Sequence, residues 1–280
     1  MKAFTKILFV LAIQAFGQKD LNEKSKSIVK EGKLLYQSEM ASWYGTDLFL
    51  EKYKERSNIG GYFSYTENEV SKCVFFSKTS TPKVIGTISF DSTYNIKTAG
   101  YNLIERDFTK NENDLYEIRK SALSEIQSDT LFKTYNNSSL NLIPLINGNE
   151  KKVFVLTGPK NNGVVIFGND YLLTFDKNNK LTLKKSLHKN IIPIEYGGKL
   201  EDGKEVESTI HSHLPETGDF ITATDVCTLM LYGKFTKWKT HNVVSKKYLS
   251  IWNCETNELL IMTVDAIKKI NNDQEKRKKQ

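Results

Sequence analysis

Short runs of β-branched and aromatic residues, divided by turn-forming sequences, constrain the fold of this chain more than any other feature. Three such runs follow Gly60-Gly61, namely Tyr62–Tyr65, Cys73–Ser77 and Val84–Phe90. Their length and spacing predict an antiparallel meander. Similar runs return in the second half of the chain, at Val153–Leu156, Val164–Phe167, Tyr171–Phe175, Ile191–Ile194, Asn242–Trp252 and Leu259–Thr263.

Helical periodicity occurs in three segments among these strands. Apolar residues recur at helical spacing over about Asp20–Lys52, where Ala41–Asp47 contains a glycine and is expected to separate two helices. A second pattern covers Glu112–Ile126. A third covers about Thr222–Tyr232, and its first residue is suited to cap a helix. The sequence thus predicts an α+β protein with N-terminal helices and an antiparallel meander, followed by a C-terminal α/β domain.

The first residues have the pattern of an export signal. Lys2 and Lys6 precede the apolar run Ile7–Ile13, and Ala15–Gly17 supplies the small residues that a signal peptidase recognises. Cleavage is expected before Gln18. Because the apolar run is far shorter than the roughly 20 residues that span a bilayer, we expect a soluble exported protein. It would be periplasmic or extracellular, with no integral membrane segment after signal cleavage.

Changes of pattern along the chain divide it into four parts. We predict a signal peptide at 1–17, an N-terminal α+β region at 18–140, a C-terminal domain at 141–266 and a basic tail at 267–280. The formal net charge of +7 is spread out apart from that tail, whereas nucleic-acid-binding proteins concentrate basic residues on one face. No nucleic-acid partner is therefore expected, and the tail is interpreted as a solvated helix end.

The cysteine content bears on how an exported chain is stabilised. Three cysteines, Cys73, Cys227 and Cys254, are too few and too scattered for a disulfide framework. A single bridge stays open, with Cys227–Cys254 as the nearer pair in sequence, but burial as ordinary core residues is the favoured prediction.

A cluster of metal-ligating residue types lies in the C-terminal half. Two of the four histidines, His211 and His213, are two positions apart on a predicted strand, so both imidazoles are expected on the same face. Asp225 falls in the first turn of the helix that Thr222 is expected to cap. Two imidazoles and one carboxylate leave a fourth position open, which is typical of a catalytic zinc site. We therefore predict zinc ligands at these three residues and leave His188 and His241 outside the site.

The order His211-Ser212-His213, a loop with Pro215, then Thr222-Ala223-Thr224-Asp225 resembles the JAMM/MPN-type zinc metalloprotease signature. That resemblance implies a deaminase-like α/β layout and zinc bound by the two histidines and the aspartate. It also implies that Thr222, standing where the family has serine, helps to stabilise the tetrahedral intermediate. Glu150, ahead of an apolar strand, is the candidate general base in this comparison.

Two functions of different classes stay open on these grounds. The first is an exported JAMM-like zinc hydrolase that acts on a peptide or isopeptide bond in a peptide or protein substrate. The alternative is a non-catalytic exported binding or surface-associated protein that keeps the same scaffold and uses zinc only for stability. A third possibility is that the N-terminal half holds the main function, although its sequence shows no recognisable site.

Overall fold

The computed structural model describes residues 2–198 and 205–278, with side chains described from Asp20 onward. These residues form a mixed α+β protein. The helices are α1 Lys2–Lys52, α2 Lys110–Ser128, α3 Ala223–Thr236 and α4 Val264–Lys278. The strands are β1 Ile59–Glu67, β2 Val70–Ser77, β3 Val84–Phe90, β4 Gly100–Asn102, β5 Ser138–Asn147, β6 Glu150–Pro159, β7 Val164–Gly168, β8 Tyr171–Phe175, β9 Leu181–Ser186, β10 Ile191–Glu195, β11 Ser208–Ser212, β12 Thr240–Val244, β13 Tyr248–Asn253 and β14 Glu258–Thr263.

The chain divides into two compact units, and α1 contributes to both. One unit comprises 33–196, and the other comprises 1–32 together with 197–280. The boundary expected from sequence, at 140/141, falls inside β5 instead. The structure thus places the predicted regions 18–140 and 141–266 partly in the same unit, 33–196.

The unit at 33–196 is built around α2. The predicted meander is confirmed as the antiparallel sheet β1-β2-β3-β4, and a second antiparallel sheet has the order β5-β6-β8-β9. Leu115 of α2 packs with the meander residues Phe63 and Val74, whereas Ile118 and Ala122 pack with residues of the second sheet. One helix therefore supplies part of both apolar clusters, which is why these two sheets belong to one unit.

The break expected at Ala41–Asp47 is wrong, because α1 is continuous through that segment. Gly45 lies inside the helix. A Cβ atom added there would be 2.6 Å from Cβ of Cys73 on β2, so this glycine permits close approach of the helix to the sheet. Glycine in a helix interior is unfavourable by local propensity, and tertiary packing outweighs that cost here.

The unit at 1–32 and 197–280 has a four-stranded sheet with the order β11-β12-β13-β14. The first two strands are parallel and are joined through α3, whereas the other neighbours are antiparallel. The helix α3 begins after Thr222, as predicted. The single run predicted over Asn242–Trp252 is two strands joined by a tight turn at 245–247, where the backbone N–H of Tyr248 donates to Oγ of Ser245 at 3.0 Å.

The sequence also led to predictions for the cysteines, the basic tail and the first 17 residues. Cys73 and Cys227 are buried free thiols as predicted, and Cys254, also a free thiol, is half-buried. The basic tail is confirmed as a helix, α4, none of whose residues is buried.

The predicted signal peptide falls where the structure describes only a helical backbone, so it stays a prediction. In the part of the chain that the structure describes, no helix combines the length and apolar character of a membrane span.

The N-terminal part of α1 packs against α3 through a glycine. A Cβ atom added at Gly32 would lie 2.5 Å from Cγ1 of Val226 and 3.1 Å from the carbonyl oxygen of Ala223. In the same unit, Oγ of Ser25 donates to the carbonyl of Leu259 at 2.7 Å. The helix start that carries Asp225 is thus held against α1.

The variant Gly32→Ala tests this close contact between α1 and α3. Helix propensity alone favours Gly32→Ala by about 1 kcal/mol. The close contact with Val226 opposes it, and we expect a net loss of about 1–3 kcal/mol from overpacking. The matched control is Gly233→Ala in α3, where an added Cβ meets no heavy atom within 4 Å and stability should rise. Urea unfolding measures both variants, and a change of the same sign in both would contradict the packing role of Gly32.

Candidate metal centre

The alternation of side chains along β11 creates one polar, buried face. Thr209 and His211 point inward, while Ser208, Ile210 and Ser212 are exposed on the other side. His213 follows directly, and its backbone N–H donates to the carbonyl of Val244 at 2.8 Å, which extends the pairing with β12. The expectation that both imidazoles face one side is confirmed, and both histidines are buried.

A capping box at the start of α3 positions the carboxylate of Asp225. The backbone N–H and the hydroxyl of Thr222 donate to its Oδ2 at 2.8 and 2.7 Å. The backbone N–H of Asp225 lies 3.1 Å from Oγ1 of Thr222. Since α3 connects two parallel strands, its first turn lies beside the carboxyl end of β11, where the histidines are.

The predicted ligand atoms converge on one point. Nε2 of His211 lies 3.1 Å from Nε2 of His213. The Asp225 oxygens Oδ2 and Oδ1 lie 3.4 Å from Nε2 of His213 and 3.9 Å from Nε2 of His211, respectively. Two ligands of a tetrahedral zinc ion, each bound at about 2.0–2.1 Å, are about 3.3 Å apart. The two imidazoles and the carboxylate of Asp225 therefore lie close enough together to share one metal ion, and the two Asp225 distances are to different oxygens of that carboxylate.

A third histidine, left outside the predicted site, belongs to this cluster. His241 on β12 has Nε2 2.9 Å from Nδ1 of His211, and its own Nδ1 lies 2.8 Å from Oγ1 of Thr209. Burial, then the neighbouring His211, lowers the pKa of His241 to about 3, so its ring is neutral at physiological pH. A neutral imidazole has one donor and one acceptor nitrogen, which suits its position between the two partners.

The other predicted residues have different surroundings. Glu150 belongs to the unit at 33–196, where it begins β6 with an exposed side chain 2.9 Å from Nζ of Lys152. A hydrogen bond and the charge of Lys152 lower the pKa of Glu150, which is the opposite of what favours a general base. The hydroxyl of Thr222 is engaged in capping α3. The catalytic roles of these two residues stay predictions.

His188 also belongs to the unit at 33–196. It is buried, and its Nδ1 lies 3.5 Å from a carboxylate oxygen of Asp170. Its burial was not predictable from its surroundings in the sequence, because histidine is intermediate between the mostly buried and the mostly exposed residue types.

The structure thus contains a buried group of histidine and aspartate side chains that can hold a metal ion, and His213 and Asp225 are among its members. The donor types are imidazole nitrogen and carboxylate oxygen, which suit several divalent transition metals. Comparison of the chain with protein-family models, curated proteins and solved structures gives no match. The chemistry of the site must therefore be inferred from its own geometry.

Proposed function

We propose that this protein binds one zinc ion through His211, His213 and Asp225 and hydrolyses a peptide or isopeptide bond. The observation that carries the proposal is the close approach of two imidazoles and one carboxylate. Nε2 of His211 and Nε2 of His213 are 3.1 Å apart, Oδ2 of Asp225 is 3.4 Å from Nε2 of His213, and Oδ1 of Asp225 is 3.9 Å from Nε2 of His211. Three protein ligands leave one tetrahedral position for water or substrate, as in hydrolytic zinc centres. The order of the residues along strand, loop and capped helix is also that of the JAMM/MPN-type signature.

The resemblance to the JAMM/MPN-type signature supports zinc as the proposed metal, and two imidazoles with one carboxylate suit that ion. Two histidines and one carboxylate also form the facial triad of non-haem iron enzymes. In an octahedral face with bonds of similar length, neighbouring ligands are about 3.0 Å apart, compared with about 3.3 Å in a tetrahedron. The separation of 3.1 Å between Nε2 of His211 and Nε2 of His213 lies between these two values, so metal analysis of protein loaded with zinc or with iron must decide between the two ions.

The chain's own residues prepare the site in three ways. His211 and His213 offer nitrogen donors from a rigid strand, so their approach requires little reorganisation. Asp225 supplies one negative charge, and its hydrogen bonds from Thr222 hold the carboxylate in place. Burial lowers the local dielectric constant and so strengthens each electrostatic interaction with the cation. A zinc ion held by these residues would supply Lewis acidity toward a carbonyl group and would activate a bound water at neutral pH.

A second candidate function is favoured by the depth of the cluster. The side chains of His211 and His213 are each 1% exposed and that of Asp225 is 0% exposed. Such burial is common in zinc sites that stabilise a fold, and a non-catalytic binding protein would need nothing more of the metal. In that case the zinc would contribute to folding, and the protein would hydrolyse no substrate.

One experiment separates the two functions. The exported protein, for which we propose Gln18 as the mature N-terminus, is loaded with one equivalent of zinc. It is then assayed on a fluorogenic peptide library and on an isopeptide-linked protein conjugate. Hydrolysis that is lost with a chelator and in His213→Ala, and retained in the control Ser212→Ala on the exposed face of β11, supports the hydrolase. A fall in Tm on chelation without hydrolysis favours the structural role, and absence of zinc binding overturns both.

A further inference from the structure

The hydrogen bonds around His211 form a defined chain that extends beyond the three ligands. In the parallel pairing of β11 with β12, Thr209 lies opposite His241 and His211 lies opposite Val243. Because alternate residues share a face, Thr209, His211 and His241 all project from the same side of the sheet. Their polar atoms form a chain of two hydrogen bonds. Nδ1 of His211 lies 2.9 Å from Nε2 of His241, and Nδ1 of His241 lies 2.8 Å from Oγ1 of Thr209.

These contacts restrict where the ring protons can lie when a metal is bound. A histidine that ligates through Nε2 has an unprotonated Nε2 and carries its proton on Nδ1, which then needs an acceptor. Nε2 of His241 can accept that proton only if His241 carries its own proton on Nδ1. That second N–H in turn donates to the hydroxyl oxygen of Thr209. With Nε2 of His211 facing the metal, one proton arrangement satisfies both hydrogen bonds.

We propose that His241, held by Thr209, is a positioning residue for the zinc site. It selects the Nδ1–H tautomer of His211, orients the ring and keeps the lone pair of Nε2 directed at the metal. The outer partner of a metal-bound histidine is often a carboxylate or a carbonyl. Here it is the imidazole of His241, which is completely buried in β12 and stacked against Trp238 at 6.1 Å between ring centroids. Among the five side chains Thr209, His211, His213, Asp225 and His241, only Asp225 has a carboxylate.

The test compares zinc affinity and histidine tautomers in full-length protein. His241→Phe keeps a ring of similar size and removes the acceptor, and we expect zinc binding about 10- to 100-fold weaker than in wild type. Thr209→Val keeps the shape of Thr209 and removes the hydroxyl, so it should weaken binding in the same direction by a smaller factor. The control is Asn242→Ala, the next residue on β12, whose side chain contacts Ser208 and Thr209's backbone rather than His241's ring.

A second readout distinguishes positioning from a merely structural role. Nitrogen NMR of the zinc-loaded wild type should show His211 protonated at Nδ1 and metal-bound at Nε2, with His241 protonated at Nδ1. In Thr209→Val the His241 signals should shift toward a mixture of tautomers while circular dichroism stays unchanged.

The positioning role of His241 rests on the proposed zinc site, so the experiment must distinguish failure of the positioning role from failure of the zinc site. If wild type binds zinc and both variants bind it with unchanged affinity and unchanged His211 tautomer, the positioning role is overturned and the zinc site stands. If wild type binds no zinc, the proposed function fails first. Should His241→Phe fail to fold, Thr209→Val decides the question alone.

Discussion

Replacing Asp225 by asparagine is expected to reduce zinc affinity by about 10²–10³-fold while leaving the fold intact. Structural zinc sites with four protein ligands bind with about 10–16 kcal/mol, so one ligand contributes on average about 2.5–4 kcal/mol. Asparagine keeps an oxygen that can accept from the backbone N–H of Thr222, as Oδ2 of Asp225 does at 2.8 Å. The substitution removes the negative charge of the carboxylate. A divalent metal ion is bound more tightly by that charge, whereas the helix cap needs only an acceptor oxygen.

Asp225→Ala is the informative companion to this variant. Alanine removes the ligand and also one side of the capping box at the start of α3, so stability without metal should fall by about 1 kcal/mol as well. Competition titration against a zinc chelator measures the affinity, and thermal unfolding of the metal-free protein measures the cap. Ser212→Ala serves again as the control. Zinc bound by Asp225→Asn as tightly as by wild type would show that Asp225 is not a ligand.

Glu112→Ala is expected to destabilise the protein by about 3–5 kcal/mol, because it removes one partner of a buried charged network. The carboxylate is 1% exposed and accepts from four donors. These are the two terminal nitrogens of Arg106 at 2.6 and 2.8 Å, the backbone N–H of Thr109 at 2.8 Å and the hydroxyl of Tyr65 at 3.1 Å. Removing it leaves those donors without their common acceptor in a buried place. The side chain of Arg106 is about one-third exposed, which places the expected value toward the lower end.

Urea unfolding at pH 7 measures this loss beside a surface control. Glu105→Ala removes a carboxylate that is more than half exposed and lies 3.6 Å from Nζ of Lys83. Exposed pairs contribute less than about 1 kcal/mol, so the control should be nearly neutral. Equal losses in the two variants would contradict a special role for the buried Glu112.

The same residue predicts part of the acid sensitivity of the fold. Burial raises the pKa of Glu112, but hydrogen bonds from Arg106 and Thr109 outweigh burial and leave the pKa below its ordinary value of 4.5. A group whose folded pKa is lowered contributes stability above its unfolded pKa and loses it as the pH falls through the folded value. Wild type should therefore lose stability below about pH 4.5, and Glu112→Gln should show a smaller dependence over that range.

The metal site and the acid-sensitive pair belong to different units and can be tested independently. Asp225 lies in the unit that includes 197–280, and Glu112 lies in the unit at 33–196. Zinc titration of Glu112→Gln at neutral pH should match wild type if the cluster at His211 folds within its own unit.

Local patterns in the sequence determined much of this protein. The alternation in Thr209–His213 predicts which side chains share a face, because successive residues of a strand point to opposite sides. The cap at Thr222 and the helical face of α2 are likewise local, since a capping side chain reaches only three residues and a helical face repeats every three or four. The close approach of the candidate ligands His211, His213 and Asp225 could be predicted because each one lies at a position set by such a short-range rule.

Only the tertiary structure decided the remainder. His241 lies 32 positions from Thr209, and its place beside His211 follows from the register of β11 against β12, which no local pattern encodes. Gly32 and Gly45 resemble helix breakers by propensity, and only the surfaces packed against them show why glycine is required. The grouping of two predicted regions into one unit depends on α2 burying residues against two sheets at once. Local propensity is a property of a few neighbouring residues, whereas register, close approach and shared cores depend on contacts between distant parts of the chain, and these are settled only when the whole chain packs.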